Sequence, residues 1–283
     1  MTRREIRRIV RGVATEDGAG VKLTRVIGNR DVADFDPFLM LDAFDSTNPD
    51  DYTKGFPDHP HRGIETVTYL VEGEIEHGDS TGGEGRIGDG DCQWMTAGSG
   101  IIHHEMPKPA RRMLGLQFWI NLPQKDKMAP PKYHGVTADK IPLVREEGAE
   151  VRVIAGAYAG TPGAMRTDYV QATFLDVDVR AGAEWSMPTP REATVYLYIL
   201  SGAGRFSERD EPVMYKNAVL FTPGEEVRVR AGSEGVRFVL CMADPLREPV
   251  AWGGPIVMNT EQELDAAFRE LRNGTFIKDR ADG

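Results

Sequence analysis

The sequence predicts an all-β protein: two β-barrel domains in tandem, closed by a short C-terminal helix. Three observations lead there, namely many short runs of β-branched and aromatic residues, a weak internal repeat, and one convincing helical segment at the end. The runs are Val21–Ile27, Ile64–Val71, Cys92–Met95, Leu114–Ile120, Val151–Ile154, Phe174–Val179, Val195–Leu200, Ala218–Phe221, Val227–Val229 and Val236–Met242. Gly, Asp, Pro or Asn clusters bound them, drawn from 31 glycines and 18 prolines. Such punctuation suits antiparallel strands joined by turns and disfavours βαβ units.

The repeat pairs Thr66–Gly73 with Thr194–Gly202. In each copy a turn and a short apolar strand follow, Gly90–Met95 and Lys216–Phe221. Two copies of one barrel account for 283 residues, since domains usually run to about 100–150. The expected division is 1–141 and 142–283, with the polar, proline-bearing stretch Pro123–Pro142 as the connection. The helix is read from Thr260 as N-cap with Glu263 three residues on, a capping box, and from the apolar stripe Leu264, Ala267, Phe268 and Leu271. Gly274 stands where a C-terminal cap belongs. It is expected to pack on the second barrel.

Composition narrows the classes. The formal net charge of −10 repels phosphate backbones, which argues against direct nucleic-acid binding. The early basic run Arg3, Arg4, Arg7, Arg8 and Arg11 lacks an apolar segment behind it and reads as a solvated edge or terminal strand. No apolar run approaches the ~20 residues of a membrane span. Cys92 and Cys241 each sit in an apolar run and form no CxxC pair, so they read as buried reduced thiols of a cytoplasmic protein. Gly83–Gly88 fits GxGxxG, but a strand follows it and no helix opens there to hold a pyrophosphate. Ser99 lacks the GxSxG spacing of a nucleophile elbow.

The chemistry lies with the histidines. There are six, His59, His61, His77, His103, His104 and His134, and the second repeat has none. On an extended chain, residues i and i+2 share a face about 6.6–6.8 Å apart, so His59 and His61 can reach one ion, and Pro60 excludes a helix between them. His103 and Glu105 repeat the spacing, with His104 turned the other way. Two such pairs on adjacent strands would converge three nitrogens and one carboxylate oxygen. That set is unlike a thiolate-rich structural zinc site and leaves coordination positions open. His77 and His134 read as exposed loop histidines.

The runs Gly55–Gly63 and Gln93–Met106, and the tail Gly254–Thr260, resemble the pirin family of the cupin superfamily over nearly the whole chain. The resemblance implies a bicupin of two jelly-roll barrels with one divalent transition metal, held in the N-terminal barrel by His59, His61, His103 and Glu105. Fe(II) is the first choice, and Mn, Ni, Cu or Zn are compatible. Glu65 stands where many cupins place their metal-binding glutamate, and by this reading it supports the ligands from beside them or pairs strands. His104 replaces a small residue common in the family.

Some pirins resemble flavonol dioxygenases, which cleave quercetin with O2 and release carbon monoxide. By that likeness the partners are a flavonol-like aromatic substrate and O2, and Glu105 is the candidate base. Phe56, Trp94, Met95 and Met106 are candidate pocket walls, with core packing as the alternative for each. Relatives also act as metal-dependent regulators, so a protein partner is the other implied role. An oxygenase with a different native substrate is the third. Because neutral imidazoles are required, metal is expected to leave as the pH falls through the histidine range near ~6.

Overall fold

The computed structural model describes residues 1–207 and 211–278. Strands dominate, as the runs predicted, and the segments form two compact units whose sequences interleave. One comprises Met1–Gly12 with Asp139–Pro245, and the other Val13–Ala138 with Leu246–Gly283. A single cut between residues 141 and 142 therefore does not describe the molecule. The cause is strand pairing that repetition in the sequence cannot reveal. β1 (Ile6–Arg11) runs antiparallel to Asn217–Phe221, far along the chain, and forms the edge of a nine-stranded sheet. Its Arg7, Arg8 and Arg11 are exposed, as a solvated edge requires. Arg4, just before it, is instead buried, its guanidinium donating to Thr189 Oγ1 and to the carbonyls of Thr222, Pro190 and Ala193.

The second unit is built from β2 (Val13–Asp17), β3 (Val21–Ile27), β4 (Phe38–Ser46), β5 (Phe56–His61), β6 (Ile64–Glu72), β7 (Ile75–Asp79), β8 (Glu84–Ile87), β9 (Cys92–Thr96), β10 (Ile101–Pro107), β11 (Met113–Asn121) and β12 (Lys132–Val136). A seven-stranded sheet has the order β12-β9-β6-β11-β4-β3-β2, and a four-stranded sheet the order β5-β10-β7-β8. β12 lies within the stretch read as a connection, Pro123–Pro142. Its Lys-Tyr-His-Gly-Val sequence carries little strand propensity, and pairing with β9 supplies what local preference lacks. Apolar side chains on inward positions fill the interior, among them Leu39, Ile64, Met95, Ala97, Ile101 and Val257.

In the unit that begins at Met1, the sheet continues from Asn217–Phe221 through Thr194–Arg205, Glu226–Ala243, Thr173–Val179 and Ala149–Ala155 to Leu143–Glu146. Val227–Val229 and Val236–Met242, read as two strands, are parts of one. The intervening glycines let the chain shift register and bend without leaving the sheet.

The C-terminal helix spans Glu261–Asn273, and both capping-box hydrogen bonds of Thr260 and Glu263 are made. Gly274 closes it at φ 69°, the left-handed conformation glycine takes without strain. A 13-residue helix is marginal alone, so packing decides its stability. Leu264 and Ala267 are buried with Ala251, Ile256, Met258 and Phe276, and Phe268 and Leu271 pack on the same cluster. The helix thus belongs to the histidine-bearing unit and not to the second barrel, where it was expected. Among the described residues, no helix is long and apolar enough to cross a membrane.

Candidate metal centre

β5 and β10 pair antiparallel with His59 opposite His103 and His61 opposite Ile101. A register shift between His103 and Glu105 then sets Glu105 opposite Phe56. Along β10, burial alternates strictly. Ile101, His103, Glu105 and Pro107 are buried, while Ile102, His104 and Met106 are partly exposed. The two-residue period of a strand thus presents His103 and Glu105 on one face and His104 on the other, where its Nδ1 lies 2.9 Å from Asp58 Oδ1.

The structure brings three of the four predicted ligands into one group. One ring nitrogen each from His59, His61 and His103 lie within 4.8 Å of one another. Ring centroids are 4.9 Å apart for His59 and His61, 4.3 Å for His59 and His103, and 5.1 Å for His61 and His103. His59 Nδ1 is 2.9 Å from the Pro57 carbonyl, and His61 Nδ1 is 3.1 Å from the Pro255 carbonyl. A carbonyl only accepts, so in both rings Nδ1 carries the proton and Nε2 carries the lone pair. His103 Nδ1 meets the Tyr133 hydroxyl at 3.2 Å, and its buried Nε2 has no hydrogen-bond partner. An orphaned buried nitrogen beside two imidazole lone pairs fits a cation.

Electrostatics favour the same occupant. Burial pushes the His61 pKa down to about 3 and lowers that of His59. His103 lies well below the ordinary histidine range because it is buried and faces His61 and His59. All three imidazoles are therefore neutral lone-pair donors. Glu105 is buried and lines the same cavity as His59 and His61. Burial raises its pKa to about 7, against the lowering effect of a hydrogen bond from Thr68 Oγ1 to Oε1 at 3.3 Å.

That cavity, of about 490 Å3, is walled by Phe44, Phe56, Met113, Trp119 and Trp252. Phe56 is the member of the expected pocket set that lines it. Trp94 and Met95 are fully buried in β9, which is covered on both faces, and Met106 sits on the outer face of β10, against Gly55. Glu65 is buried and accepts a 2.8 Å hydrogen bond from Thr96, directly across the β6–β9 pair. His77 and His134 are not loop residues. They lie on β7 and β12, and the His77 ring stacks on Tyr133 at 5.4 Å and 16°. The polar sequence of β7, Ile-Glu-His-Gly-Asp, masked the strand.

Sequence reasoning missed several residues around the centre. Gln117 and Trp119 alternate on β11 and both line the cavity. A lone glutamine in the apolar run Leu-Gly-Leu-Gln-Phe-Trp-Ile was the available signal. Tyr133 and Pro255 carried none, because only folding brings them near.

The tail after residue 245 shapes the ligand segment. Arg62, next to His61, is buried. It donates to Ser99 O at 2.7 Å and Phe276 O at 2.8 Å, pairs with Glu270 at 2.8 Å, and lies 4.1 Å over the Phe276 ring. Buried Lys127 joins Gly63 O at 2.8 Å, Asn121 Oδ1 at 2.5 Å and Val257 O at 2.9 Å. Burial pushes its pKa down to about 7, while three oxygen acceptors around Nζ favour the ammonium.

Two cupin domains, one carrying a three-histidine group able to bind a metal, define the class: a bicupin protein. The family models for Pirin, over residues 20–120, and for the Pirin C-terminal cupin domain, over residues 174–277, both match. The chain belongs to the pirin family. A pirin-like protein of Caulobacter vibrioides is 44% identical over 276 residues, 96% of this chain and 99% of its own. A Pseudomonas aeruginosa protein named provisionally as a quercetin 2,3-dioxygenase is 42% identical, over 97% of this chain and 99% of its own. The crystal structure of a quercetin 2,3-dioxygenase from Acinetobacter baumannii superimposes with a TM-score of 0.88 at 32% identity, covering 96% of this chain and 98% of that one.

Gly63 tests the role of the tail. Its φ is +76°, and a Cβ there would stand 1.9 Å from Val257 O. Gly63→Ala is expected to destabilise the fold by about 2–4 kcal/mol, measured by urea unfolding. A loss below about 0.5 kcal/mol would show that the tail does not constrain this segment.

Proposed function

We propose that this chain holds one divalent transition-metal ion through Nε2 of His59, His61 and His103 and a carboxylate oxygen of Glu105. We further propose that it acts as a dioxygenase on flavonols such as quercetin, opening the ring with O2 and releasing carbon monoxide. The observation that carries this reading is a group of three buried or partly buried imidazoles, two of which, His59 and His61, share the wall of a single aromatic cavity with the buried Glu105 carboxyl. The P. aeruginosa and A. baumannii relatives support the substrate class. Nitrogen and oxygen donors suit Fe(II), Mn, Ni, Cu and Zn alike, and it is the family resemblance that puts Fe(II) first. When bound, such an ion supplies Lewis acidity toward a substrate oxygen.

The chain supplies the rest. Phe56, Trp119 and Trp252 offer flat apolar surface to a planar ring, and Trp119 packs edge-on against His61 at 5.0 Å. The apolar walls exclude water from the reacting ring. A carboxyl that titrates near neutrality can take the proton of a substrate hydroxyl, and this is the role we assign to Glu105. Thr68 Oγ1 engages its Oε1, which leaves Oε2 as the second donor atom.

Metal-loaded protein incubated with quercetin under O2 tests the activity. Loss of the flavonol absorbance with carbon monoxide release is the expected result. No turnover with Fe, Mn, Ni, Cu or Zn would remove the dioxygenase reading. For the ligand set, His61→Ala is expected to lose most of the bound metal and His104→Ala to retain it, by elemental mass spectrometry. Equal metal in wild type and His61→Ala would overturn the assignment.

The pH dependence follows from Glu105 and moves from where the histidines alone would place it. Burial depresses all three imidazole pKa values, so proton competition at those rings sets in at lower pH than for a free histidine. Glu105 is raised to about 7, so below that pH a proton occupies the carboxyl and competes with the ion. Metal affinity should fall about tenfold per pH unit below about 7. Glu105→Gln should flatten that slope in competition titrations, and a slope unchanged in the variant would sink the explanation.

A further inference from the structure

Each imidazole of the centre is anchored at Nδ1, but the anchors differ in kind. His59 and His61 meet backbone carbonyls, those of Pro57 and Pro255. His103 meets a side chain, the hydroxyl of Tyr133, thirty residues away on β12. We propose that Tyr133 is a positioning residue of the centre: it turns His103 so that Nε2 faces the point shared with His59 and His61, and it sets how strongly that nitrogen donates. The proposal rests on the reading of the three histidines as ligands.

Several observations hold Tyr133 to this task. Its ring stacks on His77 with planes 16° apart, and His77 Nε2 in turn lies 2.5 Å from the side-chain nitrogen of Gln93. The amide N–H donates to that nitrogen, so the His77 ring is fixed and Tyr133 is backed by a rigid surface. Register places Tyr133 opposite Met95, a fully buried core residue, which fixes the backbone beneath it. Burial, with Asp79 and Glu105 nearby, raises the Tyr133 pKa, so the group remains a neutral phenol. A His103 that offers Nε2 to an ion carries its proton on Nδ1 and donates it to the phenol oxygen. A phenol oxygen accepts less strongly than a peptide carbonyl, so His103 is left a weaker donor than His59 or His61. Of the three anchors it is also the only one a substitution can remove, since the other two are main-chain atoms.

Tyr133→Phe keeps the ring and its stacking and deletes only the hydroxyl. Loaded with Co(II), the variant is expected to bind one ion per chain with affinity lowered about 10–100-fold. Its ligand-field absorption bands should also shift, which a purely structural role would not cause. His103→Ala is measured beside it. Wild-type affinity in His103→Ala would overturn the ligand reading itself. Loss of Co(II) in His103→Ala with affinity and spectrum unchanged in Tyr133→Phe would overturn the role of Tyr133 alone. Should Tyr133→Phe fail to fold, proton–nitrogen spectra of the Zn(II)-loaded wild type decide. An Nδ1–H of His103 in contact with the Tyr133 ring supports the proposal, and a metal-bound Nδ1 overturns it.

Discussion

The antiparallel pairing of β5 with β10, which sets His59 opposite His103, is the constraint on which the candidate centre rests. Neither strand holds enough donors alone. His59 and His61 are one strand's contribution, and His103 and Glu105 the other's. A slip of one residue in that pairing would turn an entire set toward the opposite face, because strand side chains alternate. The register shift after His103 is part of the same device, since it places Glu105 across from Phe56 at the cavity wall.

Burial gives the cluster its chemical character. Three imidazoles with centroids about 5 Å apart could not all be protonated without mutual repulsion, and desolvation already drives each toward the neutral form. The same desolvation acts in the opposite direction on a carboxyl and moves Glu105 to neutrality. Base strength at Glu105 and lone-pair availability at the histidines thus share one physical cause. The aromatic walls that supply it also present the flat surface a planar ligand would need.

The segment after residue 245 forms part of the surroundings of His61. Pro255 fixes the His61 tautomer, and Val257 closes on Gly63 and, with Lys127, ties the chain immediately beyond His61. The helix anchors this tail through its apolar stripe and through Glu270, which reaches Arg62. A stretch nearly two hundred residues away from His61 in sequence is therefore part of its immediate surroundings.

What the sequence determined by itself was local and periodic. Strand composition, the capping box of Thr260, the i, i+2 spacing of His59 with His61 and of His103 with Glu105, and the outward turn of His104 all follow from backbone geometry over a few residues. Tertiary structure alone decided which distant segments pair. It exchanged the ends of the two units, assigned the helix to the histidine-bearing one, and made strands of the polar segments around His77 and His134. It also moved Trp94 and Met95 from pocket to core, and brought Tyr133, Gln117 and Pro255 to the centre. The physical reason is that short-range propensity records the side-chain period of each strand, whereas partner and register are chosen by burial and hydrogen bonding summed over the whole unit.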